Sequence, residues 1–372
     1  MGEWKEVAIG DIAILKNGKK RPNVSGSIPV YGGNGIMDYV DSYNDDNCIA
    51  IGRVGAYCGC VYLTKGKVWI SDNAISAKAN QNVNNVFLYY LLGSLNLNRH
   101  RIGGAQPLMT QDLINRIRIS LPPIKEQQKI ASILSSLDSK IENNRKICAN
   151  LEAQAQALFK HWFIDFAPFK DGKFVESELG MIPEGWRVGT FGEIAELIKP
   201  SIKPRENVVY SHYSIPSFDD NQTPSNDYGE SIKSNKFAIH DSVTMLSKLN
   251  PDHKRIWYVD KVERNAVCST EFLPFYAKDK EQSVFVYCYL NCTQNYREIA
   301  NGAKGTTNSH QRIDANAIVS RKIAYDSEAI SQFSVLVRDF MKQKDIAVHE
   351  NSRLAELRNT LLPKLMSGEI KV

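Results

Sequence analysis

Residues 122–163 read PPIKEQQKIASILSSLDSKIENNRKICANLEAQAQALFKHWF. From Ile130 the seam positions step by four and three through Leu134, Leu137, Ile141, Asn144, Cys148, Leu151, Ala155, Leu158 and Trp162. That is a 3.5-residue period, which lays one seam along a helix. Pro122 and Pro123 mark its start, since proline suits a first helical turn. A helix of about 40 residues is roughly 60 Å long at 1.5 Å per residue, longer than a compact domain of this size spans. The seam therefore predicts a partner helix. A leakier seam supplies one: Phe333, Val337, Phe340, Lys344, Ala347, Asn351, Leu354, Arg358, Leu361 and Leu365, ended by Pro363 and Gly368. Asn144 and Asn351, polar within apolar seams, either fix the register at a cost in stability or sit at a solvated seam edge.

The segments outside the seams repeat. Placing Trp4 on Trp186 aligns, without a gap, Lys5 with Arg187, Ile9 with Phe191, Gly10 with Gly192, Asp11 with Glu193, Ile12 with Ile194, Ala13 with Ala195 and Pro22 with Pro204. Farther on, Val86–Tyr90 resembles Val284–Cys288, and Gly104-Ala105-Gln106 resembles Gly302-Ala303-Lys304. Between these anchors the halves diverge completely: IPVYGGNGIMDYV (28–40) has no counterpart in SIPSFDDNQTPSNDYGE (214–230). Short β-branched and aromatic runs punctuated by glycine, such as 47–51, 60–63, 67–70, 242–246 and 255–259, read as strands. The expected class is α+β: two mixed α/β globules separated by two long antiparallel helices forming a coiled coil, with an approximate two-fold repeat. The divisions are 1–123 (first globule), 124–170 (first long helix), 171–324 (second globule) and 325–372 (second long helix).

The chain has 372 residues, 43% hydrophobic and 23% charged, the composition of a folded globular protein. No apolar run reaches a membrane span, and the N-terminus lacks a charged-then-apolar leader. Seven scattered cysteines, an odd number, argue against a disulfide framework. A cytoplasmic protein is expected. No phosphate-cradling or dinucleotide glycine motif, nucleophile elbow or paired zinc-ligand pattern occurs, so no catalytic residue and no metal site is assigned. The Asn-Pro-Pro-aromatic loop that an autonomous adenine methyltransferase would need is missing; Asn250-Pro251-Asp252 is the nearest fragment.

Lys and Arg exceed Asp and Glu by 46 to 41, a net charge of +5 that permits an anionic partner. Cations neutralise phosphates, while Asn, Gln, Arg, Ser and Thr read base edges. Candidate DNA-binding residues of the first globule are Lys16, Lys19, Lys20, Arg21, Asn34, Arg53, Gln106, Thr110 and Gln111. Those of the second are Lys199, Lys203, Arg205, Lys248, His253, Lys254, Arg255, Lys304, Asn308, Gln311 and Arg312. Two similar frames bearing dissimilar polar loops suggest a reader of two short sequences. The other reading is a coiled-coil scaffold with no nucleic-acid role.

Several stretches resemble the specificity subunit of type I restriction-modification enzymes. They are Gly185-Trp186 through Ile194, Leu121-Pro122-Pro123-Ile124-Lys125-Glu126-Gln127-Gln128-Lys129-Ile130, and Leu361 to Ile370. Ile28-Pro29-Val30-Tyr31-Gly32 with Gly52-Arg53-Val54-Gly55 also resembles the target-recognition pattern. The resemblance implies two target-recognition domains, each taking half of a split site on double-stranded DNA. It implies a helical spacer that docks methyltransferase subunits, two of them, and restriction subunits. It also implies no chemistry on this chain, with S-adenosylmethionine, ATP and Mg only on partner subunits. One departure stands out: the second half has Tyr325-Asp326-Ser327-Glu328-Ala329-Ile330 where the Pro-Pro-x-x-Glu-Gln helix start is expected.

Overall fold

The computed structural model describes residues 3–103, 107–303 and 311–372. Packing divides the chain into two units, residues 1–140 with 354–372 and residues 141–353. These units cut through both long helices, whereas the sequence divisions kept each helix whole.

The first unit holds β1 (Lys5–Ala8), α1 (Ile9–Ile12), β2 (Ala13–Asn17), β3 (Ser25–Gly32), β4 (Gly35–Val40), β5 (Asp45–Asp46), β6 (Ile49–Gly52), β7 (Val61–Leu63), β8 (Lys67–Ile70), β9 (Ala74–Ala79), α2 (Asn85–Ser94), α3 (Gln111–Asn115) and β10 (Arg118–Leu121). The helix α4 (Ile124–Phe163) starts here and continues into the second unit. That unit holds β11 (Phe174–Ser177), β12 (Gly180–Pro183), β13 (Arg187–Thr190), α5 (Phe191–Ile194), β14 (Ala195–Leu197), β15 (Ser201–Ile202), β16 (Val209–Tyr213), α6 (Ile215–Asn221), β17 (Ser225–Tyr228), β18 (Lys236–Ala238), β19 (Val243–Ser247), β20 (Ile256–Val259), β21 (Val267–Ser269), β22 (Phe272–Ala277), α7 (Ser283–Asn291), α8 (Thr293–Asn301), α9 (Ala315–Val319) and β23 (Lys322–Tyr325). The helix α10 (Ser327–Met366) begins in the second unit and ends in the first.

The strand order repeats. An antiparallel sheet β2-β9-β6-β7 in the first unit corresponds to β14-β22-β19-β20 in the second. Its inner strands β6 and β19 are buried at every residue, which is why they read as unbroken apolar runs rather than alternating ones. The second sheet extends the repeat beyond what the sequence shows. Parallel β3 and β8 correspond to parallel β16 and β21, and β4 and β17 flank them alike. Segments 28–40 and 214–230, which share no pattern, therefore contribute to one frame. A strand needs only main-chain pairing and one buried face. Gly33 and Asn34 join β3 to β4, whereas Ser214–Pro224, carrying α6, joins β16 to β17.

The long helices meet inside each unit. In the first, Ile130, Leu134 and Leu365 share a core with Phe87, Leu88, Leu91 and Ile119, and Arg358 donates to Asp138 at 2.7 Å. In the second, Asn144 donates to Glu350 at 2.6 Å, Cys148 faces the Lys344 carbonyl, and Phe159 and Phe163 pack on Phe333 at 5.9 and 5.2 Å between ring centres. Within each unit the contacts run in opposite chain directions. Seam residues Ile130, Leu134, Ile141, Asn144, Leu151, Phe333 and Val337 are buried; Leu137, Leu158, Phe340, Asn351, Leu354 and Leu361 are half-buried. Past Leu151 the buried stripe runs Ala155, Phe159 and Phe163 instead of Leu158 and Trp162, and Met341 is buried where Phe340 was expected. Successive four-residue steps drift by about 40° each round a 3.6-residue helix, so the stripe turns toward the aromatic core around Phe285.

Each long helix is tied at its start by a glutamine. In the first unit buried Gln127 donates to the Pro122 carbonyl at 2.8 Å and accepts the Asn84 N–H at 3.0 Å, beside the N-cap of α2. Trp4 adds a bond to Glu126 at 3.3 Å. In the second unit the glutamine lies on the other side of the joint: Gln282, which precedes α7, donates to Ser331 at 3.1 Å and to the Ser327 carbonyl at 3.5 Å. Asp326 caps α10 through the Ala329 N–H at 2.8 Å. The missing Pro-Pro-x-x-Glu-Gln start thus has a local substitute. Among the described residues, no helix is long and apolar enough to cross a membrane.

Candidate nucleic-acid interface

Main-chain bonding identifies one loop shared by both units. After β6 the chain runs Arg53-Val54-Gly55-Ala56-Tyr57-Cys58-Gly59-Cys60, and after β19 it runs Lys248-Leu249-Asn250-Pro251-Asp252-His253-Lys254-Arg255. Arg53 N–H bonds to Asn73 O at 2.9 Å and Arg53 O accepts from Met109 N–H at 2.8 Å; Lys248 N–H bonds to Glu271 O at 2.9 Å and Lys248 O accepts from Ile313 N–H at 2.9 Å. The turns close alike, Cys58 N–H on Gly55 O at 3.1 Å and His253 N–H on Asn250 O at 3.0 Å. Gly55 (φ 72°) and Asn250 (φ 52°) both take the left-handed conformation, which glycine and asparagine tolerate best. The two loops have equal length and no residue in common at equivalent places. The glycine-rich 52–55 stretch and the basic 248–255 cluster, unrelated by eye, are one element of the frame.

The first-unit candidates fall into three groups. Lys16, Lys19, Lys20 and Asn34 are exposed, and Lys19 is anchored only by its main chain, to Ile70 O and from the Trp69 indole. Arg21 is paired with Asp38. Thr110 caps α3 by accepting from Leu113 N–H at 3.3 Å. The Gln111 carboxamide, oriented to satisfy its neighbours, donates to Leu15 O at 3.2 Å and accepts Asn17 N–H at 3.0 Å. Arg53 is half-buried, and its Nε is buried without a hydrogen-bond partner among the described residues. Gln106 lies outside the described residues.

Second-unit candidates divide similarly. Arg255 forks onto Asp219 at 2.6 and 2.8 Å, and Lys254 donates to the Asn291 carbonyl beneath the Tyr296 ring. Burial pushes the Lys254 ammonium below the ordinary lysine value. Both are therefore engaged within the unit. Lys203 and Arg205 line a cleft of about 900 Å3 with Glu196, His240, Asp241 and Glu263, while Lys199 is exposed after β14. Lys248, His253, Gln311 and Arg312 gather around the shared loop, because Asn250 N–H bonds to Gln311 O at 3.2 Å and Leu249 bridges Arg312. Arg312 in turn holds Glu271 through Nε at 3.3 Å and Nη2 at 3.2 Å. Lys304 and Asn308 lie outside the described residues.

Residues 1–153 match the family described as type I restriction modification DNA specificity domain. The chain is 29% identical over 351 residues to the type I restriction enzyme MjaIX specificity subunit of Methanocaldococcus jannaschii, covering 84% of this chain and 78% of that one. It is 27% identical over 335 residues to the HindI specificity subunit of Haemophilus influenzae, covering 72% of each. The chain is thus similar to type I restriction enzyme specificity subunits over most of its length. The fold agrees: the crystal structure of a type I system S subunit from M. genitalium overlays 98% of this chain and 96% of that one, with a TM-score of 0.62 at 17% identity.

Two residues beside the shared loop escaped the sequence reading. Asn73 and Glu271 each precede a strand, β9 or β22, and face the first loop residue through the main chain. Neither lies in a basic cluster or a motif, and only strand register makes them equivalent.

Proposed function

We propose that the chain is the DNA sequence-specificity subunit of a type I restriction-modification complex. Each unit reads one half of a bipartite target on double-stranded DNA, and the long helices pair as an antiparallel coiled-coil spacer relating the two frames by approximate two-fold symmetry. The helices dock methyltransferase subunits, two on this reading, and restriction subunits join through them. The chain itself is non-catalytic; S-adenosylmethionine, ATP and Mg belong to those partners, and the complex works in the cytoplasm.

The observation that carries this reading is the shared loop: one backbone in two copies, with chemically different side chains. Such a pair suits recognition of two different short sequences, since rigid positioning and variable edge chemistry are separate requirements of readout. Residues 190–320, exchanged for the equivalent segment of a related subunit in a reconstituted complex, should change one half of the methylated target and leave the other. Methylome mapping reads this directly. A change in both halves, or in neither, overturns the two-reader model. Duplex binding whose affinity is independent of salt would sink the DNA role, because phosphate contacts release counterions.

A further inference from the structure

We propose that base reading in each unit centres on the first residue of the shared loop and the side chains its main chain is pinned beside: Arg53 with Asn73 in the first unit, and Lys248 with the Glu271–Arg312 pair in the second. This rests on the DNA-specificity reading above and names positions within it.

Three observations support the assignment. Arg53 and Lys248 occupy the same place in the frame, held on both sides by main-chain bonds to Asn73 and Met109 or to Glu271 and Ile313. Their backbones are thereby fixed while their side chains remain available, the condition a reading group needs. Next, the partners differ in chemistry although their backbones match. Asn73 offers a carboxamide, which suits the N6 and N7 edge of adenine, and the Arg53 fork suits the O6 and N7 edge of guanine. In the second unit Glu271 grips Arg312 along its Nε and Nη2 edge, and the arginine side chain stays 48% exposed. A carboxylate that orients an arginine in this way preorganises it for one acceptor pair. Finally, the two other cations of the second loop are drawn inward: Lys254 donates to the Asn291 carbonyl, and the Arg255 side chain, held by Asp219, is 16% exposed against 48% for Arg312.

The test uses the full chain assembled with its methyltransferase partners and selects bound duplexes from a randomised pool. Arg53→Ala should relax one base pair of one half-site by roughly ten- to a hundred-fold in preference, and Arg53→Lys should relax the same base pair, because the charge remains and the fork is lost. Arg312→Lys and Glu271→Gln should relax a position in the other half-site. The untouched half-site in each selection reports that the variant is folded. A uniform loss at all sequences with a shallower salt dependence would make these residues phosphate contacts and overturn the assignment, as would an unchanged consensus. A wild-type complex that selects no consensus at all would instead defeat the DNA-specificity reading itself.

Discussion

In the first unit a tyrosine, a carboxylate and an arginine meet at the long helices: Tyr90 donates to Asp138 at 2.5 Å and Arg358 donates to the same carboxylate at 2.7 Å. In the second, Tyr287, Asn291 and Lys344 converge on Glu152, with Lys344 only 13% exposed against 32% for Arg358. Both carboxylates come from α4 and both cations from α10. The same chemistry is therefore built at non-equivalent positions of the repeat, and buried more deeply at one end. Main-chain frames repeat because hydrogen-bond geometry is blind to side chains, whereas buried polar groups must be satisfied wherever they fall.

The largest expected effect tests that contrast. Glu152→Ala leaves the mostly buried Lys344 ammonium without its counter-charge, a loss of about 3–5 kcal/mol, while Asp138→Ala leaves the more exposed Arg358 guanidinium and costs about 1–2 kcal/mol. Denaturant unfolding with hydrogen exchange should place the greater loss in residues 141–163 and 327–353; equal losses in the two units would break the comparison. The pH dependence sharpens it. Burial alone would raise the Glu152 carboxyl, but the Lys344 charge and the bonds from Tyr287 and Asn291 outweigh it and hold the group below its ordinary value. A carboxyl lowered in the folded state contributes stability above its unfolded value of about 4.3 and loses it as pH falls further. Unfolding free energy measured from pH 6 to pH 3 should therefore fall more steeply for the native chain than for Glu152→Gln.

Next in size are the helix joints. Gln127→Ala strands the half-buried Asn84 N–H and the buried Pro122 carbonyl and should cost about 1–3 kcal/mol; Gln282→Ala, at the weaker 3.1 and 3.5 Å contacts, should cost less. Hydrogen exchange at the start of α4 against the start of α10 compares them, and a larger loss at Gln282 would overturn the idea that the substitute joint is the lesser one. The smallest effect is electrostatic. Replacing Lys19 and Lys20 together by alanine should lower the slope of log affinity against log salt by about 1.8 if both touch phosphate. Arg21→Ala, its charge already met by Asp38, should change the slope less than either lysine. A larger change from Arg21 would mean that the ion pair opens on DNA.

The long helices were legible in residues 130–162 and 333–365 because apolar periodicity is a local property of the chain. So was the duplication anchored on Trp4 and Trp186, since side chains that fill equivalent cores keep their spacing. Tertiary structure decided the rest. The kinship of 28–40 with 214–230, and of Arg53–Cys60 with Lys248–Arg255, lies in main-chain pairing that leaves no trace in side-chain identity. Nor could sequence separate claimed cations from unclaimed ones. Lys254 and Arg255 read in sequence like Lys248 and His253 beside them, but Asn291 and Asp219, distant in sequence, bond them, while Asn73 and Glu271 gain their place only by facing the shared loop. Periodicity and composition act over a few residues; which charge is neutralised, and which polar atom is left open, depends on segments that only folding brings together.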